Sequence, residues 1–72
     1  MSPREEAERL AAELETISEQ VGELTYDALA DALVVTGTER QEQLGTEKAL
    51  ARARRAIDKA AEELRGVAER SS

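Results

Sequence analysis

Apolar residues in the first part of the chain fall at Ala7, Leu10, Leu14, Ile17, Val21, Leu24 and Ala28, in alternating steps of three and four. That spacing holds them on one stripe of an α-helix, as in the seam of a coiled coil. The positions between are mostly Glu, Arg, Ser, Gln or Ala, so the stripe is narrow. A second series, Leu50, Ala53, Ile57, Ala60, Leu64 and Val67, repeats the same steps near the other end. The pattern predicts an all-α fold, a small antiparallel helical bundle of two long helices, occupying residues 1–72 as a single domain.

Local signals set the expected limits of these helices. Ser2, Pro3, Arg4 and Glu5 read as a capping box with proline at the first helical position, so a helix is expected over about 3–21. Gly22 costs a helix about 1 kcal/mol relative to Ala, and Thr25 is suited to a new cap. The large residues then shift phase to Leu29 and Leu33. A bend or break near Gly22 is therefore expected, with a further helix over about 25–36, in preference to one continuous helix over 3–36. Gly37 suits the left-handed position after a helix. Thr38, Glu39, Arg40 and Gln41 form a second capping-box pattern, yet Gly45 follows closely, which predicts a loop over 37–45 holding one short helical turn at 38–44. Thr46 is the expected cap of the last helix, over about 46–69, with fraying expected from Gly66 to Ser71 and Ser72.

Composition narrows the function more than the fold. The 72 residues include 13 Ala but only 14 large aliphatics, with neither Cys nor His. A core in a chain this short rarely supplies more than about 3–5 kcal/mol, and a disulfide or the usual zinc, haem and iron–sulfur ligands are unavailable to supplement it. General acid–base catalysis most often uses His, and no Ser or Thr stands next to a base in a nucleophile pattern. The reading is therefore non-enzymatic, with no catalytic residue, metal, cofactor or small-molecule substrate expected. Glu5, Glu6, Glu8, Glu13, Glu15 and Glu19 read as a solvated face. Gly37 to Lys48 lacks the ending of a phosphate-binding loop. The longest purely apolar run, Ala32 to Val35, falls far short of the ~20 residues of a membrane helix, and a cytoplasmic protein without membrane contact is expected.

Charge divides unevenly. The net charge is −6, with the acidic excess in residues 1–35, whereas Lys48, Arg52, Arg54, Arg55 and Lys59 face only Asp58 within their stretch. Pairing of this basic stretch with Glu23, Asp27 and Asp31 is the simplest expectation for an antiparallel bundle. Leu24 to Leu33 resembles the first helix of a helix-turn-helix motif, a capped short helix with a small Ala at its centre. That resemblance implies a small DNA-binding regulator in which Lys48, Arg52, Arg54, Arg55 and Lys59 contact phosphates or bases. The reading ranked first is a helical interaction module that self-associates as a homodimer, or serves as a small subunit or adaptor beside a helical partner. Its packing or partner surface would comprise Leu10, Leu14, Ile17, Val21, Leu29, Leu33, Leu50, Ile57, Leu64 and Val67.

Overall fold

The computed structural model describes residues 2–70 and contains two helices, α1 (Pro3–Ala32) and α2 (Gly37–Arg70). They lie antiparallel as a hairpin about 53 Å long and 14 by 12 Å across. Ser2 caps α1 as expected: its Oγ accepts a hydrogen bond from the Glu5 N–H at 3.2 Å, and Pro3 occupies the first helical position.

Two expected interruptions do not occur. Helix α1 runs unbroken through Gly22 and Thr25, in place of separate helices over 3–21 and 25–36. Thr25 spends its hydroxyl on the carbonyl of Val21 at 3.0 Å, a bond made inside a continuing helix rather than at a new cap. Helix α2 likewise starts at Gly37 and continues through Gly45, so neither a loop over 37–45 nor a cap at Thr46 is present. A single glycine costs a helix about 1 kcal/mol, and packing along its whole length outweighs that. The described part of α2 extends past Gly66 to Arg70; Ser71 and Ser72 lie outside the described residues.

The turn between the helices is short. Helix α1 closes with the Leu33 N–H on the Ala30 carbonyl at 3.2 Å and the Val34 N–H on the Asp31 carbonyl at 3.1 Å. Gly37 then takes the left-handed conformation, with φ +61°, and admits the chain into α2. Arg40, one turn into α2, reaches back and donates from Nε to the carbonyls of Ala32 and Val35, each at 3.1 Å. A guanidinium there satisfies exposed carbonyls and meets the negative end of the α1 dipole.

The seam that joins the helices is not the one expected from the largest residues. On α1 the inward positions are Ala7, Ala11, Leu14, Ser18, Val21, Thr25, Ala28 and Ala32; on α2 they are Gln43, Glu47, Leu50, Ile57, Ala61, Leu64 and Ala68. Leu10, Leu14, Val21, Leu50, Ile57 and Leu64 are each half-buried. At alternate positions, however, Ala11 is buried more deeply than Leu10, Ser18 than Ile17, Ala61 than Ala60 and Ala68 than Val67. The buried apolar residues are six alanines, among them the fully buried Ala11. Small side chains let two helices approach closely, and the larger neighbours are left to the sides of the pair. Towards the turn, Gln43 and Glu47 are half-buried beside half-buried Leu44, their stems laid along the seam.

Candidate interaction surfaces

The seam gives the hairpin two edges. Residues that follow a seam position on either helix share one edge, as the contact between Glu15, after Leu14, and Arg65, after Leu64, demonstrates. Residues that precede the small seam positions share the other.

The first edge is polar. Arg65 donates from Nε to Glu15 Oε1 at 2.6 Å and pairs with it through a second nitrogen. Ser18, buried in the seam, donates its hydroxyl proton to Asp58 Oδ1 at 2.5 Å and accepts from Arg54 Nε at 3.1 Å. The Arg54 guanidinium lies against the bare backbone of Gly22, where a Cβ would come within 2.8 Å of Cζ. This explains why a glycine inside a long helix is useful at that level. These contacts link α1 residues 15–22 to α2 residues 54–65 and fix the register of the two helices.

The second edge is apolar and partly exposed. It carries Leu10, Ile17 and Leu24 from α1, and Ala53, Ala60 and Val67 from α2. Ile17 is 42% exposed, Leu24 54% and Val67 37%. The outer face of α2 adds exposed Ala49 and Ala56 beside Ala53 and Ala60, a continuous row of small side chains.

The remaining candidate residues separate from these surfaces. Leu29 is partly exposed beside the seam, and Leu33 lies almost fully exposed at the turn with Val34. Of the basic cluster, Arg54 turns inward to Ser18, while Lys48, Arg52 and Arg55 line a shallow depression with Glu47 and Ala51. Lys59 is exposed on the same helix. The pairing expected with Glu23, Asp27 and Asp31 does not form: the seam turns Lys48, Arg52, Arg55 and Lys59 outward, and among the described residues none of the four makes an ion pair. The segment resembling a helix-turn-helix is the end of one continuous helix, and its neighbour runs antiparallel to it rather than across it.

A small ion cluster borders the apolar edge. Arg9 bridges Glu6 and Glu13 along α1. The hydrogen bond from Arg9 holds the Glu6 carboxyl below its ordinary pKa, and the same contact raises that of Arg9. Among the described residues no His, Cys, Asp or Glu group could hold a metal ion, and no helix is long and apolar enough to cross a membrane. The chain matches no protein-family model, no curated protein and no solved structure.

Proposed function

We propose that this chain is a non-enzymatic helical interaction module that docks a further helix or helix pair along its apolar edge. The observation that carries this reading is the partly exposed edge itself, with Ile17, Leu24 and Val67 aligned on one side of a hairpin whose buried apolar residues are all alanine. Fully burying a side chain such as Leu or Ile contributes about 1.5–3 kcal/mol, so the edge offers more apolar free energy to a partner than any polar contact in the hairpin supplies. A photoreactive amino acid placed at Leu24 tests this in the cell against the same group at Glu19, on the other side of α1. Cross-linking to one defined polypeptide from Leu24 and not from Glu19 is the expected result. Equal labelling from both positions would remove the assignment.

A second reading, a DNA-binding regulator, draws on one observation: among the described residues Lys48, Arg52, Arg55 and Lys59 of α2 make no ion pair. It requires salt-sensitive binding to duplex DNA that is lost on replacing Arg52 and Arg55 with Glu. The acidic excess of α1 opposes it, since duplex binding is driven by cations meeting phosphates.

A further inference from the structure

Resting on the apolar-edge reading, we infer that the occupant of that edge is a second copy of this chain. The two hairpins stack with the two-fold axis parallel to their length, so that α1 of each copy lies antiparallel on α2 of the other.

Size complementarity selects this arrangement. On the apolar edge α1 presents a ridge of large residues, Leu10, Ile17 and Leu24, whereas α2 presents the row Ala49, Ala53, Ala56 and Ala60. A ridge seats in a row of small residues, and large facing small is the combination that packs without voids. With an axis across the helices, α1 would instead meet α1, ridge against ridge. An axis along the helices keeps both copies level. The contacts Glu15 to Arg65, Ser18 to Asp58 and Arg54 to Ser18 then set the register. Ile17 falls between Ala56 and Ala60 of the other copy, Leu24 between Ala49 and Ala53, and Leu10 near Val67.

Charge points the same way. The ridge is bordered by Glu6, Glu13 and Asp27, with Arg9 bridging the first two and leaving the border net acidic, and the alanine row by Arg52 and Lys59. Pairing α1 with α2 brings these borders together with opposite sign, while α1 on α1 sets acid against acid.

The absence of native cysteine makes cross-linking a clean test. Under mild oxidation an equimolar mixture of Ile17→Cys and Ala56→Cys chains should give mainly the mixed disulfide, and Ile17→Cys alone should give little. Sedimentation equilibrium of the unmodified chain should report a dimer that becomes monomeric in Ala56→Arg. Ala56 is exposed in the hairpin, so that variant should keep its helical circular dichroism; a monomer with intact helicity supports the inference. A predominant disulfide within Ile17→Cys alone would overturn the arrangement. A pure chain that stays monomeric up to millimolar concentration would overturn self-association, and the cross-link from Leu24 in the cell would then still decide whether the edge docks another protein.

Discussion

The two edges of the hairpin are built from the same helices about the same seam, one residue apart, and they do opposite things. The polar edge spends Glu15, Ser18, Arg54, Asp58 and Arg65 on contacts between the helices. The apolar edge leaves Ile17 and Leu24 largely open to solvent. An exposed ion pair contributes about 0–1 kcal/mol, so the polar edge specifies alignment more than it stabilises. Ile17 and Leu24 stand where the two-helix seam does not cover them, while Leu14, Leu50, Ile57 and Leu64 are half-buried within it. A hairpin arranged in this way is aligned by one side and made available by the other.

The sharpest way to break the comparison is to overfill the seam between the edges. Ala11→Leu should cost about 1–3 kcal/mol by overpacking, because the position is fully buried between close helices. Ala12→Leu, one residue along and exposed, should stay within about 0.5 kcal/mol of the parent. Urea unfolding of both measures this; equal effects would mean that the seam does not run through Ala11. Next in size is the polar edge. Ser18→Ala removes one hydroxyl that serves both Asp58 and Arg54, and should cost about 0.5–1.5 kcal/mol. No change in the urea midpoint would deny the hydroxyl any part in holding the helices together.

The same comparison explains what was legible in the sequence. The all-α class, two long antiparallel helices, the Ser2 cap and the left-handed Gly37 all follow from spacing and local chemistry. The rotation of the seam was hidden because two runs of threes and fours share Ala7, Leu14, Val21 and Ala28, and ranking by size favours Leu10, Ile17 and Leu24 over Ala11, Ser18 and Thr25. The distinguishing signal lies further along. The run through Ala11 and Ser18 continues to Ala32, whereas the run through Leu10 and Ile17 meets Asp31. On α2 an inward Arg54 could not be read at all, since it depends on a hydroxyl and a bare backbone thirty or more residues away. Glycines at 22 and 45 misled for a related reason: their helix cost is local, and the packing that overrides it is not.

Gly22 supplies the next prediction, a double-mutant cycle on the polar edge. Gly22→Ala should gain about 1 kcal/mol in helix propensity. In the parent, the new methyl meets the Arg54 guanidinium, the far end of a flexible side chain, which moves aside and gives up its place beside Ser18. The gain should therefore be smaller in the parent than in an Arg54→Ala background, where nothing opposes it. Strict additivity would show that Arg54 does not rest on the Gly22 backbone.

The smallest effect concerns the border of the apolar edge, and its sign is fixed by Arg9. Hydrogen bonding from Arg9, helped by its charge and opposed by slight desolvation, lowers the Glu6 pKa below its ordinary value of 4.5. A carboxyl that ionises more readily in the folded chain than in the unfolded one stabilises the fold above the unfolded pKa. That contribution disappears as pH falls through the folded pKa. The raised pKa of Arg9 acts only at strongly alkaline pH and leaves the acid range to Glu6. Melting temperatures should thus fall slightly as pH drops through the lower carboxylate range, and Glu6→Gln should remove that part of the slope. Both side chains are open to solvent over part of their surface, so added salt should flatten the slope in the parent too. A slope unaffected by either change would deny Glu6 any part in the acid sensitivity of the hairpin.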